Sequence, residues 1–201
     1  MRKRILAPTL FVLLSATLGS AAPITEPPEC VVAAAWVRAH AAELPTTLPE
    51  LSKHSTAYRR AIYAVLPAAT RASLWREHLQ SFLRSDAPLT AEQRVVVGEV
   101  IEVLPALTAP GANRAWTRSV ERRVAEKFAG PLRASIFMTL GTLPAAAPKA
   151  SPGPWCNCEV YGDPAECQTG ICVNSLCTYY TGCGMMWGDQ CTGLCRFGGE
   201  R

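Results

Sequence analysis

The chain has 201 residues, of which 49% are hydrophobic, and a formal net charge of +4. This length is sufficient for a domain that buries its own apolar core. The small positive charge does not reach the strongly basic balance that is typical of nucleic-acid-binding proteins, so we expect no nucleic-acid partner.

The first 21 residues have the pattern of a secretory signal peptide. A basic start at residues 2–4 is followed by an uncharged apolar stretch at residues 5–18. Gly19 and Ala21 supply small side chains at the positions that signal peptidase reads, which predicts cleavage after Ala21. No other stretch is long and apolar enough to span a bilayer. The sequence therefore predicts a secreted, soluble protein.

Residues 22–141 are predicted to form a helical pro-region. The capping box Thr90-Ala-Glu-Gln93 is the sharpest helix start, and Pro105 is expected to end that helix. No alternating strand pattern accompanies it, so the predicted fold class is mostly α: a helical bundle followed by a small disulfide-rich module. Apolar residues recur at helical spacing in residues 30–44, 55–66, 70–83, 90–104, 113–128 and 132–140.

The helical region carries no catalytic or metal-binding pattern. His40, His54 and His78 are its three histidines, and none belongs to an HExxH motif or a paired-ligand spacing. His78 lies beside an apolar stripe, which favours a core or boundary position. Cys30 is interpreted as an unpaired or intermolecular thiol, and its use as a nucleophile is the weaker alternative. We expect no enzymatic activity, no cofactor and no metal.

Residues 142–154, TLPAAAPKASPGP, are predicted to form an exposed linker. Proline and alanine favour a semi-extended chain, and such a segment is a preferred site of proteolysis. The charge changes sign across it. Residues 5–151 hold 15 basic and 11 acidic side chains, whereas residues 152–201 hold two basic and five acidic ones. This difference is either ordinary surface charge or a complementarity that holds the two parts together before release.

Residues 155–201 contain eight of the nine cysteines, which predicts a small module held by disulfides. Four disulfides are favoured over zinc because the chain is exported and no histidine follows His78. The spacing does not reveal which cysteines pair. The eight are Cys156, Cys158, Cys167, Cys172, Cys177, Cys183, Cys191 and Cys195.

The module also carries more large apolar side chains than so short a segment buries. About half are expected to wrap the disulfides. The others are expected to form an exposed patch for a receptor or a membrane interface. The predicted binding patch consists of Tyr179, Tyr180, Met185, Met186 and Trp187.

The order of these motifs resembles that of a known family. After the C-x-C pair come three spaced cysteines, a T-G-C-G motif at residues 181–184, Trp187 and two closing cysteines. This pattern is similar to bacteriocins of the fulvocin C-related family. The helical region is similar to the precursor part of that family at Cys30, Leu44-Pro45, residues 58–62 (YRRAI), Leu74-Trp75 and residues 89–93 (LTAEQ). The resemblance implies an antibacterial peptide that a bacterium secretes within a longer precursor.

The sequence as a whole thus predicts a secreted precursor in four parts: a signal peptide (1–21), a helical pro-region (22–141), a linker (142–154) and a bacteriocin-like module (155–201). A processing protease would release the module, which would act on a receptor or the membrane of a target cell. The alternative is an uncut extracellular two-domain protein whose cysteine-rich module binds a surface partner.

Overall fold

The computed structural model describes residues 29–85, 88–109, 114–142, 158–159, 171–174, 181–190 and 193–196. These residues are mostly helical, as the sequence predicts, and residues 29–142 contain no strand wherever they are described. The predicted signal peptide, nearly all of the predicted linker and most of the cysteine-rich module lie outside the described residues. None of the described helices is both long enough and apolar enough to cross a bilayer.

Seven α-helices occur in the described part of the helical region. They run in the order α1 (Glu29–Ala39), α2 (Leu48–Leu51), α3 (Thr56–Val65), α4 (Ala68–Arg84), α5 (Ala91–Leu107), α6 (Arg114–Lys127) and α7 (Gly130–Arg133). One π-helical turn at Ala134–Met138 follows α7 directly.

The capping box is confirmed at the start of α5. The backbone N–H of Gln93 donates to Thr90 Oγ1 at 3.2 Å, and the backbone N–H of Thr90 donates to Gln93 Oε1 at 3.0 Å. The predicted helix end before Pro105 is wrong, because α5 continues to Leu107. Pro105 lies in the last turn, where its missing N–H removes a single intrahelical bond, and the helix closes with Thr108 N–H donating to Leu104 O at 3.0 Å.

Other helix ends differ from the prediction in ways that local chemistry explains. Ser55 is the N-cap of α3, but its side chain makes no capping hydrogen bond. Gly130-Pro131 opens α7 instead of delaying the helix to residue 132, because proline is tolerated in a first helical turn. Helix α1 ends at Ala39 rather than at Leu44, and the short helix α2 was not predicted.

One large apolar core joins the helices, and Ala134 and Met138 form a small separate cluster. The fully buried members of the large core come from α2, α3, α4, α5, the end of α6 and the segment from the π-helical turn to Leu140. Met185, Met186 and Trp187 of the cysteine-rich segment belong to the same core. The helical region and this part of the C-terminal segment are therefore packed as one unit. Representative fully buried residues are Ile62, Trp75, Leu79, Val97, Leu104, Phe128 and Phe137.

The described residues of the C-terminal segment include five short strands: β1 (Cys158–Glu159), β2 (Ile171–Asn174), β3 (Thr181–Cys183), β4 (Asp189–Gln190) and β5 (Gly193–Arg196). Strand β5 lies between β1 and β2 and is antiparallel to both. Strands β3 and β4 form a separate antiparallel pair. A 3-10 helix at Met185–Trp187 connects β3 to β4, and we call the whole of residues 181–190 the β3–β4 hairpin.

Candidate functional site: a helical cleft filled by the β3–β4 hairpin

The β3–β4 hairpin needs glycine at the end of β3. Gly184 has a φ of +72°, and a Cβ atom there would collide with the carboxylate of Asp189. Gly182 also lies in the glycine region, at φ +119°. Two residues with side chains, Met186 (φ 53°) and Trp187 (φ 56°), adopt left-handed backbone at the turn. Such a conformation costs about 1–2 kcal/mol per residue, so other contacts must hold the turn in place.

Trp187 provides the principal contact between the hairpin and the helices. Only 4% of its surface is exposed. Its indole N–H donates a hydrogen bond of 2.9 Å to the carbonyl oxygen of Met138. Its ring meets Tyr63 edge to face at a centroid distance of 5.3 Å and Trp75 at 5.8 Å. The indole is therefore both buried and hydrogen-bonded, which is how an anchoring tryptophan is held in a pocket.

Arg60 of α3 covers the outer side of this contact. Its guanidinium carbon lies 5.8 Å from the centroid of the Trp187 ring, within the range of a cation–π interaction. Its Nη1 atom lies 3.8 Å from Cys183 Sγ. We call the surface formed by Arg60, Tyr63, Trp75 and Met138 the hairpin cleft.

Tyr63 is buried in the hairpin cleft, with 3% of it exposed. The Arg71 guanidinium carbon lies 5.6 Å from the Tyr63 ring centroid. Burial raises the pKa of Tyr63 to about 12. The nearby positive charge of Arg71 favours the phenolate and acts in the opposite direction, but the effect of burial is larger. The phenol therefore stays neutral at any physiological pH, and the cleft presents aromatic surface rather than charge at its base.

Met138, whose carbonyl accepts the indole hydrogen bond, and the hairpin residues Met185 and Met186 are buried beside Trp187. The three methionines are at most 8% exposed. A small cavity of about 100 Å³ lies beside them, with Glu121 and Arg133 from the helices and Asp189 from the hairpin among its lining residues. The contact is thus apolar at the indole and charged at one margin.

The segment that carries Met138 is held in place by Arg59. This buried arginine donates from Nε to His54 O at 2.7 Å and from Nη2 to Ser52 O at 2.7 Å. Its Nη1 donates to Leu140 O at 3.0 Å and to Thr142 O at 2.9 Å. Burial lowers the pKa of Arg59, but an arginine remains charged at neutral pH. One side chain thereby ties residues 52–54 to the last described residues of the helical region.

His78 supports the same segment from α4. Its Nε2 lies 3.3 Å from Ser135 O and 3.2 Å from Ile136 O, and its Nδ1 accepts from the backbone N–H of Gly141 at 3.2 Å. This pattern assigns the single ring proton to Nε2. Burial lowers the pKa of His78 to about 4, so the imidazole is neutral in the folded protein at neutral pH. The expected core position of His78 is confirmed, since 3% of it is exposed.

The structure places three of the five predicted patch residues against the helices. Met185, Met186 and Trp187 are buried in the full chain, so they are covered in the form described here. Tyr179 and Tyr180 lie outside the described residues. If the patch binds a target, the three buried side chains must first leave the hairpin cleft.

The cysteines are described only in part. Cys183 is disulfide-bonded. The backbones of Cys158, Cys172 and Cys195 lie in β1, β2 and β5, and Cys172 and Cys195 are direct register partners. Cys30 lies in α1, with its side chain outside the described residues. The pairing of the module's cysteines is therefore still a prediction. Cys156, Cys167, Cys177 and Cys191 lie outside the described residues.

Sequence reasoning did not identify the hairpin cleft. Arg60 and Cys183 are 123 positions apart, and Met138 and Trp187 are 49 apart. Helical periodicity marks the cleft side chains as inward-facing but does not reveal what they face. The sequence signal that bears on the cleft is the excess of large apolar side chains in the C-terminal segment, because such side chains need another surface to bury them.

Neither metal-binding geometry in the described residues nor similarity to known proteins assigns a function to this chain. Within the described residues, no group of three or more His, Cys, Asp or Glu side chains is placed to hold a metal ion. No protein-family model, curated protein or solved structure matches the chain. The hairpin cleft and the sequence motifs are therefore the features that bear on function.

Proposed function

We propose that the chain is a secreted bacteriocin-like precursor. Its helical region covers the β3–β4 hairpin, and cleavage in or near residues 142–154 frees a disulfide-rich peptide that acts on other bacteria. The observation that supports this most directly is the burial of Met185, Met186 and Trp187 against the helices. A peptide that binds its target through these side chains needs them covered until it is released.

The helical region is expected to cover these three side chains because their exposure to water is unfavourable. An exposed cluster of one tryptophan and two methionines promotes association and aggregation. In the full chain the indole has its hydrogen bond to Met138 O and its aromatic contacts with the cleft. The same groups become available for a new partner once the hairpin leaves.

The nature of the hairpin suggests two targets for the freed peptide. Tryptophan is favoured at membrane interfaces because one edge is polar and the rest is apolar. Methionine adapts its shape to irregular protein surfaces. A target membrane or a surface receptor is therefore the expected partner, and a processing protease is required to cut the chain.

A second function has an observation in its favour. The hairpin shares one core with the helices, and such continuity is also expected of a permanent two-domain protein. In that case the chain would stay uncut outside the cell, and other parts of the cysteine-rich segment would bind a surface partner. The two functions differ in which molecule accumulates outside the cell.

Non-reducing intact mass spectrometry of the culture fluid separates them. A fragment that begins near Trp155, lighter by eight hydrogens than its reduced form, supports the precursor function. Accumulation of only the full mature chain supports the permanent two-domain protein. The fragment, purified away from the helical region, is then assayed for growth inhibition against a panel of bacteria, beside the uncut chain.

Two variants of the peptide make the activity assay specific. Trp187→Ala removes the anchoring indole and is expected to abolish inhibition. Trp155→Ala changes the other tryptophan of the C-terminal segment and is the matched control, expected to keep most of the activity. Equal inhibition by the purified fragment and by its Trp187→Ala variant would show that the hairpin is not the active surface.

A further inference from the structure

The contacts that hold the hairpin come from residues outside the predicted linker. Arg60, Tyr63 and Trp75 belong to α3 and α4, and Met138 precedes residues 142–154. Nothing in this set of contacts requires a covalent connection between the two parts. Cutting the linker therefore leaves every one of these contacts intact.

We infer that the helical region is a binding partner for the β3–β4 hairpin in trans, so that the cut peptide stays bound to it without a covalent link. This rests on the proposed function, because it concerns the peptide that cleavage produces. The helical region then acts as an inhibitor of the peptide after processing as well as before it. The partner that the hairpin cleft fits is the Met-Met-Trp turn of this same sequence.

The chemistry of the contact is that of a specific anchor. Binding hot spots are enriched in tryptophan side chains that enter well-packed, desolvated pockets, and a buried indole needs a partner for its N–H. The Trp187 indole meets both conditions through Tyr63, Trp75 and the carbonyl of Met138. Arg60 shields the ring from water at the rim, which strengthens the contacts beneath it.

The cleft is also held in shape by groups that do not belong to the hairpin. Arg59 fixes residues 140 and 142, and His78 fixes residues 135, 136 and 141. Both side chains belong to the helical region and bond to its own backbone, except for the bond of Arg59 to Thr142 at the start of the predicted linker. A cleft that is formed in advance loses little conformational entropy on binding, which favours tight association.

The hairpin side is restrained as well. Cys183 is disulfide-bonded at the base of the turn, and Gly184 fits closely against Asp189. Two rigid surfaces of this kind are expected to rebind in the same geometry after separation. It follows that cutting the linker alone does not deliver a free peptide. Displacement by the target, or digestion of the helical region, must complete the release.

The test uses the intact secreted chain with one change, in which residues 145–151 are replaced by the recognition sequence of a site-specific protease. The purified protein is cut to completion and examined by native mass spectrometry and size-exclusion chromatography at about 1 µM, a concentration at which only a submicromolar complex survives. We expect one species that contains both fragments and whose mass exceeds that of the uncut chain by one water.

Variants establish that the hairpin cleft holds the fragments together. Trp187→Ala is expected to weaken the complex at least about 100-fold, since a buried tryptophan is lost, and its fragments should separate. Arg60→Gln, a milder change at the rim, is expected to weaken it roughly 2- to 30-fold. Trp116→Ala on α6, outside the buried core cluster, is the matched control and should leave the complex intact.

Separation of the unmodified fragments at about 1 µM would overturn the inference. Equal retention of the fragments in the Arg60→Gln, Trp187→Ala and unmodified proteins would overturn it too, because the complex would then depend on another surface. If Trp187→Ala prevents folding, serial dilution of the cut Arg60→Gln and unmodified proteins, which measures the dissociation constant of each complex, still decides. Failure here differs from failure of the proposed function, in which the purified peptide has no activity or no fragment is secreted.

Discussion

His78 gives the clearest quantitative prediction. The imidazole is buried and neutral, and burial lowers its pKa from 6.5 to about 4. The unfolded chain binds the proton more tightly than the folded chain, so the free energy of unfolding decreases as the pH falls below about 6.5. The contribution is fully present above that pH. Between pH 7 and pH 4 the loss that His78 causes is about 3 kcal/mol.

The assay is urea unfolding of the full mature chain, followed by circular dichroism at 222 nm, at pH 7 and at pH 4. Carboxylates also titrate in this range, so the comparison is with His78→Gln, whose amide does not titrate. We expect the unmodified chain to lose about 3 kcal/mol more than His78→Gln over this interval. An identical pH dependence in the unmodified chain and in His78→Gln would refute the reasoning.

Three further changes test separate parts of the structure. Arg59→Met leaves several backbone carbonyls without a donor, so the free energy of unfolding should fall by at least about 3 kcal/mol in a urea titration. Gly184→Ala places a Cβ against the Asp189 carboxylate at a positive φ. The turn should leave the cleft, which is measured as a red shift of tryptophan emission, and unchanged emission would contradict this. Thr90→Ala removes half of the capping box with Gln93 and should cost about 1 kcal/mol, measured as a lower thermal midpoint. An unchanged midpoint would show that the box is not needed.

Features with a local cause could be predicted from the sequence. The Thr90–Gln93 box depends on two residues three apart, and the end of α3 before Pro67 depends on one proline. The burial of His78 follows from the apolar stripe on its own helix. Each of these predictions needs only the chemistry of neighbouring positions, which periodicity and capping rules describe.

Features with a distant cause could not be predicted. The sequence predicts an exposed binding patch that includes Met185, Met186 and Trp187. In the folded chain these three side chains instead pack against α3, α4 and the π-helical turn. Composition shows that such side chains need burial, but not which surface provides it. The role of Arg59 is hidden for the same reason, since its acceptors at Leu140 and Thr142 lie over 80 positions away.

Motifs that the sequence presents separately are joined by the fold. Residues 58–62 (YRRAI) contain Arg59 and Arg60, Leu74-Trp75 contributes Trp75, and the T-G-C-G motif leads into Trp187. In the structure Arg60, Trp75 and Trp187 meet at the hairpin cleft. Residues from these separate motifs thus take part in one contact between the helical region and the C-terminal segment.

Methionine oxidation tests the central claim most directly. Apart from Met1, the chain contains only Met138, Met185 and Met186; all three are buried, Met185 and Met186 within the hairpin and Met138 next to it, where its carbonyl binds Trp187. Mild hydrogen peroxide treatment, followed by peptide-level mass spectrometry, therefore reports on the contact between hairpin and helices. We predict slow oxidation of all three in the full chain and fast oxidation of Met185 and Met186 in the purified C-terminal peptide. Equally fast oxidation of Met185 and Met186 in both would show that the helical region does not cover the hairpin.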